Sequence, residues 1–501
     1  MSLVRSVPRF ATLAVVAAAA CSYDARVPSE PKAARAQFAT MAASGGVAAT
    51  GRHIVSFTGA VPADFAAQVA ALDGKVLWVS SGSGLAAVSG LTGSAPMTLA
   101  GRQGIQAIDP DAAIPLDIPE IGMPDAGDAG GVASNANPAG AVRFARQWNM
   151  RAVQADAAWA HGFLGSSSVS IFMLDSGIDY LHADLIGRVD LNRSLDLLGT
   201  FDAQLPDGST VPFTESDTVA KYFPGRFAFT DLFFHGTHTA ATVSSNAVRA
   251  AGITSGTTLV AVKVCGFINE CPFSSILNGI LYAANSGADV VNMSLGGGFT
   301  KAGNGRFVGL LQKVFNYARR KGVTIVVSAG NEAVNLNQNG NTYQTFCDTP
   351  AVICVAATGP TASATPTDGP FTSVDAFAFY SNFGSAIDVA APGGNGSSGP
   401  TLPPPATRNV FVWAACSQTS LLPQLLGCSA LPLFIVNARG TSMAAPHVTG
   451  TAALLVSILG RSPAQIKARI EQTADHIDKN GQSLFYGHGR VNVARAVGAI
   501  P

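Results

Sequence analysis

The amino-acid sequence predicts an α/β protein whose main domain has a mostly parallel sheet between layers of helices, preceded by a small α+β domain. In residues 143–501, continuous apolar runs alternate with helical segments, which is typical of a parallel sheet covered on both faces. Residues 52–111 show short strands around two helical stretches. Between these regions, residues 112–142 are rich in Gly, Ala and Pro, which favours a linker.

Length and charge exclude several classes of protein. The 501 residues allow two or three domains with a large core. Only 12% of the residues are charged, and Lys+Arg equals Asp+Glu at 31 each. Because there is neither a basic excess nor an acidic block, we expect no nucleic-acid partner.

The N-terminus predicts export. Two arginines precede the apolar run 10–20, which is too short to cross a bilayer, and alanines then precede Cys21. Residues 1–21 are therefore interpreted as a signal peptide. The pattern fits an ordinary signal-peptidase site and equally a lipoprotein site that lipidates Cys21, and both readings stay open. Residues 22–51 are rich in Ala, Ser and Pro, and we expect them to be disordered.

The region 52–111 contains a helix with one apolar face. Phe65, Val69 and Leu72 recur at helical spacing, and Gly74 ends the helix. The expected strands are 53–57, 75–79, 85–88 and 105–108, with a second helix beginning near residue 96. The following stretch, 112–142, has many breakers and no basic residue before Arg143, so we expect an exposed linker that can be cleaved.

The region 143–501 is expected to form a parallel sheet. Its predicted strands are 169–174, 259–264, 290–293, 323–327, 352–356 and 387–390. Its helices are expected at 274–286, at 307–321 and from Pro463 onwards. We expect no transmembrane helix here.

The cysteines support an oxidising compartment. Outside the signal region there are Cys265, Cys271, Cys347, Cys354, Cys416 and Cys428. Six cysteines allow about 15 pairings. Proximity in the sequence favours Cys265–Cys271, Cys347–Cys354 and Cys416–Cys428, and buried free thiols are the alternative.

Three segments carry an acid, a base and a hydroxyl nucleophile. They are L-D-S-G-I-D at 174–179, H-G-T-H at 235–238 and G-T-S-M-A-A-P-H at 440–447. Asp175 follows a predicted strand, whereas His235 and Ser442 each begin a predicted helix. Pro446 is expected in the first turn of the helix that Ser442 begins. The order Asp, His, Ser is found in one lineage of serine hydrolases, and it disfavours an α/β-hydrolase esterase. Asn331, in V-V-S-A-G-N-E at 326–332, is a candidate donor to an oxyanion.

Together with N-M-S-L-G-G at 292–297, these motifs resemble the subtilisin-like serine proteases from Gln147 to about Val497. The resemblance implies that Asp175 orients His235, that His235 is the general base, and that Ser442 attacks the peptide carbonyl. Asn331 and the Ser442 N–H would hold the oxyanion. The implied substrate-binding residues are Ser294, Leu295, Gly296, Gly297, Ser328, Ala329 and Gly330, pairing with an extended substrate.

Residues 52–111 resemble the ferredoxin-like inhibitory propeptide of that family. The resemblance implies a secreted, monomeric serine endopeptidase made as a self-processing zymogen, with its own propeptide as intramolecular inhibitor and with proteins or peptides as substrates. The resemblance implies that no cofactor is needed for catalysis and that the protein can hold structural calcium, although no metal ligand or calcium site is assigned. The alternative function is an inactive peptide-binding pseudoprotease of the cell envelope.

The chain also departs from the family pattern. Phe234 before His235 predicts a more apolar adjoining subsite, and Ala241 replaces a common glycine. The spans 193–231 and 394–434 are predicted insertions, the first of them a surface loop. Asp184 matches one calcium-ligand position of the family, but the loop 244–252 looks shortened and carries a basic residue, which makes a calcium site there doubtful.

Overall fold

The structure, a computed structural model, describes residues 48–116, 119–125, 131–204, 208–268, 270–296, 298–300, 305–338, 340–344, 346–349, 351–365, 368–396, 410–422, 425, 428, 434–478 and 481–501. The predicted signal peptide, with Cys21, lies outside the described residues. So does most of the predicted disordered segment 22–51. Its last residues, 48–51, are not disordered but begin the first strand.

The N-terminal domain has the ferredoxin-like order of elements. Its elements are β1 (Ala48–Phe57), α1 (Phe65–Ala70), β2 (Lys75–Ser80), β3 (Leu85–Ser89), α2 (Ala95–Ala100) and β4 (Ile105–Pro115). The strands pair antiparallel in the order β4-β1-β3-β2. Phe65 and Val69 of α1 are buried against Val55 and Val88 of the sheet, because the helical spacing places both on one face. The predicted α+β domain is confirmed.

The segment predicted to be an exposed linker is largely ordered. β4 continues to Pro115, and a further strand, β5 (Glu120–Asp125), follows it. Ile114 and Leu116 are buried. The prediction of an exposed linker over 112–142 is therefore wrong at least for these strands, since strand pairing with distant segments overrides the Pro and Gly residues.

The main domain is built on a seven-stranded sheet, and every adjacent pair of its strands is parallel. The strands after β5 are β6 (Ser170–Asp175), β7 (Leu195–Asp196), β8 (Thr200–Gln204), β9 (Thr210–Thr214), β10 (Thr258–Lys263), β11 (Glu270–Pro272), β12 (Val290–Met293), β13 (Gly298–Thr300), β14 (Thr324–Ser328), β15 (Thr342–Gln344), β16 (Val352–Thr358), β17 (Ala362–Ser363), β18 (Phe371–Thr372), β19 (Val389–Pro392), β20 (Val412–Ala415) and β21 (Ile435–Arg439). The order in the sheet is β19-β16-β14-β12-β6-β10-β7.

Helices cover both faces of this sheet. They are α3 (Trp148–Ala152), α4 (Ala155–Ala160), α5 (Glu215–Tyr222), α6 (His235–Val243), α7 (Phe273–Asn285), α8 (Gly305–Arg320), α9 (Thr441–Leu459), α10 (Pro463–Gln472) and α11 (Val493–Val497). α7 and α8 pack into one large apolar cluster, whereas α6, α9 and α11 pack into a second. The predicted three-layer α/β architecture is confirmed.

The predicted insertion 193–231 is not a simple surface loop. β8 and β9 form an antiparallel hairpin, α5 follows directly, and the side chains of Phe201 and Phe213 are buried against each other. β1 of the N-terminal domain contacts β8. Through this hairpin, the first predicted insertion forms part of the main-domain surface that the N-terminal domain contacts.

Among the described helices, α9 alone is long and apolar enough to cross a membrane. Most of its apolar window, 83%, lies buried inside the protein, as in the core helix of a globular domain.

Three disulfides join the cysteines that are neighbours in the sequence. The S–S distances are 2.06 Å for Cys265–Cys271, 2.00 Å for Cys347–Cys354 and 2.06 Å for Cys416–Cys428. The pairs are the ones that proximity favours. Cys265–Cys271 links β11, which contains Cys271, to the segment after β10, and Cys416–Cys428 lies in the second predicted insertion.

Candidate active site

Asp175 and His235 form a buried hydrogen-bonded pair. Asp175 ends β6, His235 begins α6, and His235 Nδ1 lies 2.7 Å from Asp175 Oδ1. Both side chains are fully buried. The carboxylate also accepts hydrogen bonds from the Ser176 N–H at 2.8 Å and from Thr239 Oγ1 at 3.1 Å. With Nδ1 donating to the carboxylate, Nε2 is the ring atom that can take a proton.

Thr239 is a residue that sequence reasoning missed. It lies four residues after His235 on α6, so the helix places both side chains on one face toward Asp175. The spacing H-G-T-H-T carries that signal, because a hydroxyl at this offset can reach the same carboxylate.

Ser442 is the second residue of α9 and lies against the segment after β12. Its Oγ donates to the Ser294 carbonyl oxygen at 3.1 Å, and Ser294 Oγ donates to the Ser442 carbonyl oxygen at 2.8 Å. α9 packs against α6, which carries His235. The fold thus brings the three predicted segments into one region.

Pro446 lies inside α9, and its predicted place in the first turn is wrong. A proline at this position has no N–H to donate to the carbonyl of Ser442, four residues earlier. Ser294 Oγ donates to that carbonyl instead. The hydroxyl of Ser294 therefore compensates for the missing helical hydrogen bond beside Ser442.

Asn331 follows β14 and is fixed by the residue before Ser442. Its Oδ1 accepts from the Thr441 N–H at 2.8 Å and from Thr441 Oγ1 at 2.9 Å. Because the oxygen is the acceptor, the orientation of the amide is set, and Nδ2 lies on the opposite side of the amide carbon. Thr441 is a second positioning residue that the sequence prediction did not single out.

The predicted substrate-binding residues lie on both sides of this site. Ser294, Leu295, Ser328, Ala329 and Gly330 are buried, Gly296 is half-buried, and Gly297 lies outside the described residues. The N–H of Ala329 donates to Val355 O at 3.0 Å, and the N–H of Gly330 donates to Thr441 Oγ1 at 3.0 Å. The predicted pairing of a substrate strand with this segment is therefore not supported through these two N–H groups.

The N-terminal part of the chain pairs with two strands of the main domain, one of which leads to Ser442. β4 pairs antiparallel with β11, which places Ile114 opposite Cys271. β5 pairs antiparallel with β21, which ends three residues before Ser442. The residues between β4 and β5 therefore connect a strand paired with β11 to a strand paired with β21, next to the serine in the chain. β11 is a pairing edge that the sequence prediction did not include.

Both insertions reach the surroundings of His235. Ser417 Oγ donates to Asp231 O at 2.6 Å, and the Leu421 N–H donates to Leu232 O at 2.8 Å. Phe234 is fully buried, with its ring edge-on to His235 at 6.3 Å between centroids. The more apolar subsite that Phe234 predicts stays a prediction.

A buried ion pair lies beside the strand that carries Asp175. Lys263 stands opposite Asp175 in the sheet register, and its Nζ is 2.5 Å from Glu215 Oε1. Glu215 begins α5 in the first insertion, and burial raises the pKa of its carboxyl to about 7. Burial also raises the pKa of Asp231 to about 6, although Thr237 donates to it.

The structure does not fit a calcium ion at Asp184. Its carboxylate accepts from the N–H groups of Val248 and Arg249, each at 2.8 Å, and of Ala250 at 3.2 Å. Backbone donors of the short loop thus occupy the lone pairs that calcium would need. Within the described ranges there is no group of three or more His, Cys, Asp or Glu side chains that could hold a metal.

The buried side chain of His447, on α9, is expected to make the folded protein less stable in acid. Its Nδ1 donates to Met443 O at 2.9 Å, its Nε2 accepts from Asn149 Nδ2 at 2.9 Å, and burial lowers its pKa to about 4 from 6.5. Since the folded pKa lies below the unfolded value, this contribution to stability is complete above pH 6.5 and is lost as pH falls toward 4. At pH 5 the loss for one such histidine is about 2 kcal/mol.

We therefore expect His447→Gln to flatten this pH dependence. In full-length protein carrying Ser442→Ala, the drop in free energy of unfolding between pH 7 and pH 5 should be smaller by about 2 kcal/mol. The measurement is urea unfolding at both pH values. An equal drop with and without His447 would contradict the prediction.

Comparisons with known proteins agree with this geometry. The profile of the subtilase family matches residues 166–489. Thermitase of Thermoactinomyces vulgaris is 31% identical over 355 residues, which cover 70% of this chain and 96% of thermitase. Subtilisin of Bacillus pumilus is 29% identical over 350 residues, which cover 69% of this chain and 96% of that protein.

Two solved structures share the fold over most of the chain. The epidermin leader peptide processing serine protease of Staphylococcus aureus has a TM-score of 0.65 at 20% identity, covering 89% of this chain and 98% of that one. Fervidolysin of Fervidobacterium pennivorans, a keratinolytic enzyme related to subtilisin, has a TM-score of 0.64 at 22% identity, covering 90% of this chain and 61% of that one. The family match, these relatives and the buried Asp–His pair confirm the sequence prediction: the chain belongs to the subtilase family and is a subtilisin-like serine endopeptidase.

Proposed function

We propose that Asp175, His235 and Ser442 are the catalytic triad of this endopeptidase. The observation that carries the proposal is the buried hydrogen bond of 2.7 Å between His235 Nδ1 and Asp175 Oδ1. Asp175 holds the imidazole with Nε2 as the base and stabilises the imidazolium that forms. His235 Nε2 takes the proton of Ser442 Oγ as that oxygen attacks the peptide carbonyl.

The tetrahedral intermediate is stabilised by hydrogen bonds to its oxyanion. We assign these to Asn331 Nδ2 and the backbone N–H of Ser442 at the start of α9, where the helix dipole also favours negative charge. His235 then protonates the leaving amine, and the acyl group stays on Ser442 Oγ. Water, deprotonated by His235, releases the second product. These steps use side chains, one backbone N–H and water, so no cofactor is required.

The cleft that holds the substrate lies between the predicted segments 294–297 and 328–330. We propose that these residues line it, and that β11 supplies the edge to which an extended substrate adds as a strand, as β4 does in the unprocessed chain. Ile114 of β4 and the following Leu116 are buried, which favours apolar substrate residues on the N-terminal side of the cleaved bond.

The chain is made as a zymogen that processes itself, with residues up to β4 as its inhibitor. The cleaved bond lies between Leu116 and Glu120, since this stretch joins β4 to β5, whose partner β21 ends three residues before Ser442. This proposal narrows the location of the cleaved bond, which the sequence analysis expected within 112–142. The released N-terminal domain holds the cleft through β4 until it is degraded.

The protein is exported as a monomer. The buried disulfides fit an oxidising compartment, which agrees with the signal predicted at residues 1–21. One experiment distinguishes free secretion from anchoring through a lipid on Cys21. Growth with a labelled fatty acid should label the protein only in the anchored case, and Cys21→Ala should then abolish the label.

A fluorophosphonate probe tests the proposed triad against the alternative of a peptide-binding pseudoprotease. After processing, we expect the probe to modify Ser442 alone, because only a hydroxyl next to a positioned base reacts readily. The measurement is mass spectrometry of the labelled peptides. Ser462→Ala, at the start of α10, is a matched control that keeps the labelling. A processed, folded protein that takes no probe would favour the pseudoprotease.

A further inference from the structure

We infer that Arg439 forms a subsite for an acidic side chain of the substrate, on the leaving-group side of the cleaved bond. This inference rests on the proposed processing between Leu116 and Glu120. It assigns a specificity residue beyond the proposed triad and its oxyanion donors.

Arg439 is a fixed cation close to the proposed nucleophile. It ends β21, three residues before Ser442. Its guanidinium lies 4.8 Å from the ring centre of Phe379 and 5.1 Å from that of Phe411, and it donates to Asn395 O at 3.1 Å. Rings and carbonyl together hold the charge in one place with little loss of freedom on binding.

Glu120 marks where a substrate carboxylate would bind. The residue stands opposite Arg439 in the antiparallel pairing of β5 with β21, and its carboxylate forms an ion pair with Arg439. The Glu120 side chain is only 23% exposed and the Arg439 side chain only 11%, so solvent screens this ion pair less than it screens an exposed pair. Because β5 lies beyond the proposed cleaved bond, Glu120 occupies the leaving-group side.

After Glu120, β5 continues to pack closely against β21. A Cβ atom at Gly122 would overlap the side-chain amide of Asn437 on β21, so this position of β5 accepts only glycine without rearrangement. At the end of β5, Asp125 pairs with Arg143 and Arg146. In a chain with only 12% charged residues, acids facing arginines at both ends of one strand indicate complementary charge on this side of the cleft.

The test compares peptides within one enzyme. The substrates are the peptide of residues 111–125 and its Glu120→Gln and Glu120→Lys versions, with casein as a general substrate. We expect processed wild-type enzyme to cleave the Glu peptide with a kcat/KM about tenfold above the Gln peptide, and the Lys peptide more slowly still. In Arg439→Gln, the Glu-to-Gln ratio should fall toward one, and 0.5 M salt should lower it in wild type.

The ratio is insensitive to the new N-terminus of the enzyme. That terminus carries Glu120 and competes for the same subsite, but a competitor lowers kcat/KM for both peptides by the same factor. A ratio near one in wild type, or a tenfold ratio kept in Arg439→Gln, would overturn the inference, as would cleavage of casein without cleavage of any peptide. If neither casein nor the peptides are cleaved, the proposed function itself fails.

A charge exchange in the full-length chain gives a second, independent readout. Glu120→Arg and Arg439→Glu should each slow self-processing, because each places like charges opposite one another on β5 and β21. The double variant should recover processing relative to both single variants, measured by the appearance of the cleaved chain over time. A double variant slower than both single variants would count against the pairing.

Discussion

Ser442→Ala is expected to abolish peptide hydrolysis and to leave the chain uncleaved. Without Oγ there is no nucleophile for His235 to activate, and loss of the serine in subtilisin lowers kcat about 10⁶-fold. Full-length variant protein should therefore keep its N-terminal domain, whereas wild type separates into two fragments. Gel electrophoresis and mass spectrometry of the purified proteins would show the difference.

A mixing experiment separates self-processing from processing by another protease. Purified Ser442→Ala protein should stay uncut alone, and a trace of processed wild-type enzyme should cleave it between Leu116 and Glu120. If the purified variant matures unaided, the proposal of self-processing is wrong. Because removal of a buried hydroxyl is a small change, circular dichroism should show an unchanged fold.

Removing the amide donor of Asn331 is expected to lower kcat about 10²–10³-fold with little change in KM. This is the range found when an oxyanion donor is removed from subtilisin. The loss falls on kcat because the hydrogen bond forms fully only when charge develops on the carbonyl oxygen. Asn331→Leu is the variant, and steady-state kinetics on a peptide substrate is the measurement.

Asn331→Asp is the matched control for this prediction. It keeps an oxygen for the N–H and hydroxyl of Thr441, which the Asn331 side chain holds in the structure, but it lacks the amide donor. We expect its kcat to fall at least as far as that of the leucine variant. An aspartate variant with nearly full activity would mean that Asn331 acts only by positioning Thr441.

Local sequence patterns predicted the parts of the fold that depend on local chemistry. The strand 290–293 has the predicted bounds, and 323–327 is shifted by one residue, because buried apolar runs end where turn residues begin. The surroundings of Asp175, His235, Asn331 and Ser442 were foreseen for the same reason. Each lies in a short motif whose flanking residues indicate a strand end or a helix start.

Contacts between distant segments were beyond such patterns. β5 contains Pro and Gly and reads as a loop, and it becomes a strand only because β21, far along the chain, offers an edge. The Lys263–Glu215 pair likewise joins β10 to an insertion with no spacing rule between them. Pro446 was misplaced because the compensating donor, Ser294, lies on another element.

The N-terminal domain contributes two buried charges to its contact with the main domain. Arg52, on β1, is buried and donates to Thr200 O at 2.6 Å and Ser275 Oγ at 3.0 Å. Asp111, on β4, is buried and accepts from the Ser274 N–H at 2.9 Å. The main domain contributes hydroxyl and backbone groups to these hydrogen bonds, and the carboxylate of its Asp196 also acts on the charge of Arg52.

If the N-terminal domain is released as proposed, this contact has a consequence for the main domain. An abandoned buried charge would destabilise the remaining domain by several kcal/mol, whereas exposed hydroxyls and carbonyls are readily hydrated. The released fragment carries Arg52 and Asp111 into water, and Asp196 of the main domain keeps Lys263, whose charge acts on its carboxylate more strongly than that of Arg52. On the proposed processing, the main domain is left with hydroxyl and backbone groups that water can hydrate, so we expect it to stay folded after the fragment is gone.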